Sequence, residues 1–360
     1  MRKPINITLS TQSNLSKVDF NNIPFGRVFS DHMYMADYIN GEWVDPRIVP
    51  FGHFSIHPAN LALHYGQSIF EGMKASKQTD GRVVLLRPEV HSARLNSSAA
   101  RMCMPEFPEE MFLDALHTLV GIDKDWIPTI EGSSMYIRPF MFATGEFIGV
   151  QESNTYRMIV FTGPVGPYYN KPVRLLAEEK YVRAVAGGVG EAKTSGNYAA
   201  SLLPARLAKE KGFDQVLWLD AFEFKYIQEV GTMNIFFVIG DKIITPVTNG
   251  AILKGITRDS VIQLLQDKGY TVEKRKISID EVVEAFHNGT LKEAFGTGTA
   301  AWIAHVSEIQ YKDTLIHLPP IEERKIGQLA YQLFRGIRLG IDPDIHNWVV
   351  PVKEVAVSIS

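Results

Sequence analysis

Ala186-Gly-Gly-Val-Gly-Glu-Ala-Lys193-Thr-Ser-Gly-Asn-Tyr198 is the stretch on which the reading of the fold turns. A lysine follows Gly187, Gly188 and Gly190, and the run Asn197 to Lys211 behind it is predicted as a helix, kinked at Pro204 and ended by Gly212. The loop nearly matches the phosphate-binding pattern G-x-x-x-x-G-K-[ST]. It fails at Ala192, where glycine would let a backbone N–H approach phosphate. Gln215 to Leu219 reads as a buried strand ended by Asp220, as a magnesium-binding strand would be, but 220 − 193 = 27 residues is a short spacing for that role. A P-loop NTPase is therefore the rival from another class.

Two further stretches bear on anion binding. Gly296-Thr-Gly298-Thr-Ala-Ala301 resembles the dinucleotide fingerprint G-x-G-x-x-[GA], but it lies late in the chain and no ribose-binding acid follows in a second strand. Lys254-Gly-Ile-Thr257-Arg-Asp-Ser opens a helix predicted over 257–268, with Thr257 as its N-cap, and a helix N-terminus favours phosphate. A lysine among glycines, an acid further on and a phosphate cradle are what a Schiff-base cofactor such as pyridoxal phosphate requires.

Length and composition bound the alternatives. A chain of 360 residues suggests two domains, or one large α/β unit. With 45% hydrophobic and 21% charged residues it is an ordinary globular sequence. A net charge of −3 argues against nucleic-acid binding. The single Cys103 excludes a disulfide framework and a four-Cys metal site, and is expected to be a small buried residue. The polar start reads as no secretory signal, and no apolar run approaches the ~18 residues of a membrane helix. His53 and His57 are four apart, but Pro58 argues against a helical metal pair, so no metal is expected. A reducing, cytoplasmic setting follows.

Around the loop, Asp37 to Val44 reads as a hairpin turning at Asn40-Gly41, and Asn234 to Thr245 as another at Gly240-Asp241. Strands are predicted at 83–86, 134–142, 156–161, 173–176 and 181–185, and helices at 88–100, 109–120 and 326–337. Ser278 and Glu281 predict a capping box. Gly163 to Val173, rich in Gly and Pro, is the expected linker.

In order along the chain stand Ala62-Leu-His-Tyr-Gly-Gln-Ser-Ile-Phe-Glu-Gly-Met-Lys74, Tyr136-Ile-Arg-Pro139, Lys193-Thr-Ser-Gly-Asn-Tyr198, Gln215-Val-Leu-Trp-Leu219, Glu229-Val-Gly-Thr-Met-Asn234, Gly255-Ile-Thr-Arg258 and Phe295-Gly-Thr-Gly-Thr-Ala300. Each is weak alone, but the ordered set resembles the branched-chain amino acid aminotransferases, of the fold-type IV group of pyridoxal-phosphate enzymes. The resemblance implies a two-domain α/β enzyme: a small N-terminal domain over 1–163, a linker over 164–173, and a large C-terminal domain over 174–360 carrying the lysine, with the cofactor between the domains. It implies transamination between branched-chain L-amino acids and 2-oxoglutarate by a homodimer.

The same resemblance assigns residues. Lys193 would hold pyridoxal 5′-phosphate as a Schiff base and move the substrate's proton. Glu229 would pair with the ring nitrogen, Tyr198 with the phenolic oxygen, and Leu253 would pack on the ring. Arg94, the N–H groups of Ile256 and Thr257, and Thr299 would hold phosphate. Thr232 and Ala300 would meet the α-carboxylate. Phe70, Tyr136 and Tyr168 would line an aromatic pocket, joined by Tyr65 from the partner subunit, and Arg138 could meet a γ-carboxylate. Departures from the family pattern are Thr194-Ser195 for Gly-Gly, Lys254 for proline, Pro204 in the helix after the lysine, and Ala301 and Ala304 where some members carry a cysteine pair. Within this fold the rivals are a D-amino acid aminotransferase and an aminodeoxychorismate lyase, which lack the segments Tyr136 to Pro139 and Phe70 to Lys74.

Overall fold

The computed structural model describes residues 4–169 and 171–353. Contacts divide the chain into two units. Among the described residues the first comprises 4–168, 192–195 and 336–353, and the second the remainder. Lys193 therefore groups with the first unit and not with the expected C-terminal domain. The physical reason is local pairing, since Thr194 makes a β-bridge to Ile69 and the Phe70 N–H donates to the Lys193 carbonyl at 3.0 Å.

The first unit is built on one sheet. Its strands are β1 (Asn6–Ile7), β2 (His32–Ile39), β3 (Glu42–Pro50), β4 (Ser68–Phe70), β5 (Met73–Lys77), β6 (Val83–Leu86), β7 (Ser134–Ala143) and β8 (Tyr156–Val165), with a later strand, Val349–Pro351, at one edge. The order is β1-β3-β2-β8-β7-β5-β6 and then that edge strand, with β4 on β7. All pairs are antiparallel except β1 on β3. The β2–β3 turn places Asn40 and Gly41 at φ of 53° and 84°, the conformation Asn-Gly favours. Period-two alternation sends Tyr34 and Ala36 into the main core and Met33 and Met35 into a smaller cluster on the other face. The main core is closed by Leu95 and Ala99 of α2 (Pro88–Arg101) and by Phe112, Leu116 and Leu119 of α3 (Glu109–Ile122). Pro88 opens α2, where its missing N–H costs nothing. Cys103 follows α2 with φ 52° and is exposed, against the expectation of burial, because the chain turns outward after the last helical residue.

The second unit holds β9 (Val173–Ala177), β10 (Gln215–Leu219), β11 (Ile227–Val230), β12 (Asn234–Ile239), β13 (Lys242–Pro246), β14 (Val272–Arg275), β15 (Leu291–Gly298), β16 (Trp302–Tyr311) and β17 (Thr314–His317). Their order is β11-β10-β9-β16-β15-β12-β13-β14, with β17 on β16, and β9 pairs in parallel with both β10 and β16. Ile235 and Phe237 of β12 pack with Ile279 and Val282 of one helix (Ile279–His287). Phe236 and Val238 face the opposite way, onto Val261 and Leu265 of another (Ile256–Asp267). Buried on both faces, β12 reads as a continuous apolar run. The Ser278 hydroxyl caps the first of these helices, accepting from the Glu281 N–H at 3.0 Å.

Two local expectations change. Residues 181–185 form no strand. The predicted kink at Pro204 is a break into two helices, Ser195–Ala200 and Leu202–Glu210, because a proline ring clashes with the carbonyl four residues earlier, here that of Ala200. Among the described residues no helix is long and apolar enough to cross a membrane.

Candidate active site

In the first unit the sequence-predicted residues gather round Phe70. The Lys193 ammonium lies 5.0 Å from the centre of the Phe70 ring, and the Arg138 guanidinium carbon lies 4.7 Å from it. Tyr136 and Arg138 are two apart on β7 and so share a face. The guanidinium stands 5.3 Å from the Tyr136 ring and donates to its hydroxyl at 3.1 Å. Tyr168 joins through Phe25, whose ring is 4.7 Å from Tyr168 and 5.4 Å from Tyr136. Burial, and then the neighbouring Tyr136, raise the Tyr168 hydroxyl above its ordinary pKa. Tyr65 ends the short helix Leu61–Tyr65 and is exposed.

Arg94 is held by a group that the sequence did not mark. Glu71 is completely buried and accepts from Arg94 Nε at 2.7 Å and Nη2 at 2.8 Å, and its Oε2 lies 2.7 Å from His91 Nδ1. Burial alone would raise this carboxyl, but the charge and hydrogen bonds of Arg94, with those of His91, hold it well below the usual carboxylate range. Burial also lowers His91, outweighing the opposing pull of Glu71, so its imidazole is favoured in the neutral form. His91 and Arg94 are three apart on α2. Ser98, one turn beyond Arg94, accepts the Lys193 N–H at 2.9 Å, so one face of α2 aims Arg94 and anchors the lysine's backbone. Thr194 and Ser195 fit without strain. Neither has positive φ, Thr194 donates to the Ser68 carbonyl at 2.7 Å, and the Ser195 hydroxyl accepts from the Ser68 hydroxyl at 2.8 Å.

In the second unit Glu229 of β11 is 3% exposed, and its Oε1 accepts the Leu253 N–H at 2.6 Å. Asn234 donates to the Leu253 carbonyl at 2.9 Å. Two residues on, Gly255 and not Thr257 is the N-cap of the helix Ile256–Asp267, and no side chain caps it. A Cβ on Gly255 would lie 1.8 Å from Asn234 Oδ1 and displace that amide, so the N-cap is a residue without a side chain, and the expected threonine cap falls inside the helix, which starts at Ile256. Ile256 and Thr257 thus present backbone N–H groups in a first turn that no side chain caps. Thr299 and Ala300 form the turn from β15 to β16, and Thr232 is exposed in the turn from β11 to β12. Met233 packs against Gly296 and Gly298, which brings these two turns together. Tyr198 is half-buried in the helix after the lysine.

The rival patterns lose their structural context. Asp220 spends its carboxylate on the N–H groups of Phe222, Glu223, Lys225 and Tyr226, so it closes a loop. Gly296 to Gly298 leads into an antiparallel strand, with Gly298 opposite Trp302, and not into a helix.

Comparisons with known proteins give the family. The amino-transferase class IV family model matches residues 68–309. The chain is 49% identical over 352 residues to branched-chain-amino-acid aminotransferase 2 of Bacillus subtilis, covering 97% of each chain. The chain belongs to the class IV aminotransferases, among the branched-chain-amino-acid aminotransferases. This enzyme is also 41% identical over 360 residues to the Mycolicibacterium smegmatis branched-chain-amino-acid aminotransferase, covering 96% of this chain and 98% of the other. It is similar in structure to the branched-chain amino acid aminotransferase of Thermobaculum terrenum in its PLP-bound holo-form. The TM-score is 0.70 at 25% identity, covering 89% of this chain and 98% of the other. Sequence reasoning missed Phe25, Glu71, His91 and Asn234. Glu71, inside the segment Phe70 to Lys74, and Asn234, at the end of the segment that Glu229 opens, carried a signal through those segments, and Phe25 and His91 carried none.

Proposed function

We propose that this aminotransferase exchanges an amino group between L-leucine, L-isoleucine or L-valine and 2-oxoglutarate, giving branched-chain 2-oxo acids and L-glutamate, with pyridoxal 5′-phosphate as cofactor. The observation that carries the reading is the Phe70 ring shared by the Lys193 amine and the Arg138 guanidinium, at 5.0 and 4.7 Å. It sets a nucleophile and a carboxylate-reading cation on one apolar wall. The donor set fits the cofactor: an amine, a buried carboxylate for a basic ring nitrogen, and backbone N–H groups for phosphate. Pyridoxal phosphate, when bound, supplies a carbonyl that condenses with amines and a ring that accepts the electron pair left at the substrate's Cα.

The chain's own residues do the rest. Lys193 is the catalytic residue, and its Nζ takes the Cα proton and returns it. Glu229 balances charge at the ring nitrogen, Tyr198 hydrogen-bonds the phenolic oxygen, and Leu253 packs on the ring. Arg94, the N–H groups of Ile256 and Thr257, and Thr299 hold the phosphate. Thr232 and Ala300 orient the α-carboxylate. Phe70, Tyr136 and Tyr168, with Tyr65 from a second copy in a homodimer, bury the branched side chain at about 25 cal/mol per Å². Arg138 pairs with the γ-carboxylate of glutamate. A cytoplasmic location accords with this metabolic role. The test is an amino-donor panel with 2-oxoglutarate that includes both enantiomers of leucine and alanine. L-Leucine, L-isoleucine and L-valine should lead, and faster turnover of D-alanine would overturn the reading.

A further inference from the structure

Arg183 is almost buried and reaches three oxygens through one nitrogen. Its Nη2 donates to the Gly190 carbonyl at 2.9 Å and to the Ala251 carbonyl, and lies 3.2 Å from Glu229 Oε1. The Gly190 and Ala251 backbones meet closely, since a Cβ on Gly190 would stand 2.4 Å from the Ala251 oxygen. Gly190 precedes Lys193 by three residues, and Ala251 precedes by two the Leu253 whose N–H donates to Glu229. The arginine's Nε is buried without a hydrogen-bond partner, so its placement serves these acceptors and not its own full pairing.

We propose that Arg183 is a positioning residue for Glu229, holding the carboxylate's direction and charge while tying the glycine loop to the Leu253 loop. This rests on the reading of Glu229 as the partner of the cofactor's ring nitrogen. A carboxylate this deeply buried needs a compensating cation. Arg183 supplies one at 3.2 Å, beside the more general charge of Arg258, and its contact with that of the Leu253 N–H on Oε1 fixes the direction of the second oxygen. Without the guanidinium the carboxylate loses the ion pair at 3.2 Å that aims it, and a misdirected carboxylate no longer favours a protonated ring nitrogen. Loss of Arg183 should therefore act on the cofactor in the same way as Glu229→Gln.

The experiment uses the full chain as apoprotein. Parent, Arg183→Met, Arg183→Lys, Glu229→Gln and the Arg183→Met/Glu229→Gln double variant are titrated with pyridoxal 5′-phosphate and with its 1-deaza analogue, in which C–H replaces the ring nitrogen. Thermal unfolding of each apoprotein is followed in parallel. Arg183→Met should weaken the natural cofactor about tenfold, the scale of one charge-assisted contact, and the analogue by less than about threefold. Arg183→Lys should recover part of the loss and serves as the measure if the Met variant fails to fold. In the Glu229→Gln background the further loss should be under about twofold. Equal weakening of both cofactors, or an undiminished effect in that background, would make Arg183 purely structural and overturn the proposal. If Glu229→Gln itself leaves the preference between the cofactors unchanged, the assignment of Glu229 fails and the inference falls with it.

Discussion

Gly72 stands between the Glu71 that holds Arg94 and the wall that carries Arg138, and a single methyl group there should disturb that wall. A Cβ at position 72 would lie 2.1 Å from the Tyr136 hydroxyl oxygen and 3.0 Å from Cζ, against the 3.4 Å at which ordinary contact begins. Gly72 has no positive φ, so alanine costs nothing in backbone strain there and the whole effect is steric. Tyr136 must swing away and lose the 3.1 Å hydrogen bond from Arg138. Overpacking of this kind costs about 1–3 kcal/mol, and the lost bond, to a half-exposed pair, about 1 kcal/mol more. Gly72→Ala should therefore lower stability by about 2–4 kcal/mol and raise KM for leucine. Tyr136→Phe removes the atom at 2.1 Å and leaves the contact at 3.0 Å, so it should relieve Gly72→Ala in part. The assay is a double-mutant cycle by urea unfolding, followed by fluorescence and circular dichroism together because a chain of two units need not unfold in one step. The double variant should be more stable than the sum of the single losses by about 1 kcal/mol. Additivity within about 0.3–0.5 kcal/mol would show that the two side chains never compete for this space and would refute the argument.

Other outcomes follow from the same geometry. Lys193→Ala should abolish the cofactor's visible absorbance band and lower turnover by orders of magnitude, and normal transamination by that variant would remove Lys193 from the chemistry. Arg138→Ala should slow the glutamate half-reaction about ten- to a hundredfold more than the leucine one, read by cofactor absorbance, and equal losses would make Arg138 structural. Glu71 is held below the 4.5 of an unperturbed carboxyl, so it stabilises the fold above about pH 4.5, and that contribution is lost as pH falls through its lower folded value. Urea midpoints of Glu71→Gln and parent should thus differ widely at about pH 7 and draw progressively closer as pH falls below about 4.5; a gap independent of pH would contradict the assigned ionisation.

Local structure was legible where one residue type decides it. Asn40-Gly41, Pro88 and Ser278 act through their own backbone or their nearest neighbours, and each stands where its chemistry placed it. Long-range contacts were not legible. Nothing near Lys193 announces that Thr194 bridges Ile69, or that Ser98 holds the lysine's N–H. The β-like run 181–185 fails as a strand where Arg183 turns inward to carbonyls at 190 and 251. Glu71 and His91 read as ordinary polar residues until α2 sets His91 and Arg94 on the face that meets the residue after β4.

The glycines explain both the false matches and the true one. A glycine marks either a positive φ, as at Gly187, or a neighbour standing where a Cβ would be, and the pattern says neither which nor what that neighbour is. At Gly72 the filler is the Tyr136 hydroxyl, at Gly190 the Ala251 carbonyl, at Gly255 the Asn234 amide oxygen and at Gly296 the Met233 side chain. Each is an atom of the protein. The loop before Lys193 and the turn after Phe295 therefore imitate nucleotide-binding patterns because close internal packing and phosphate approach impose the same constraint on a single residue. What separates the two is the identity of the distant partner. One glycine-rich loop cannot reveal that partner, but seven short segments in a fixed order do, because Tyr136, Asn234 and Met233 stand in the same set as Gly72, Gly255 and Gly296, whose missing Cβ each replaces. The specificity of the ordered set is the specificity of those pairings, and substitution of either member of a pair should cost more than the sequence of either segment alone suggests.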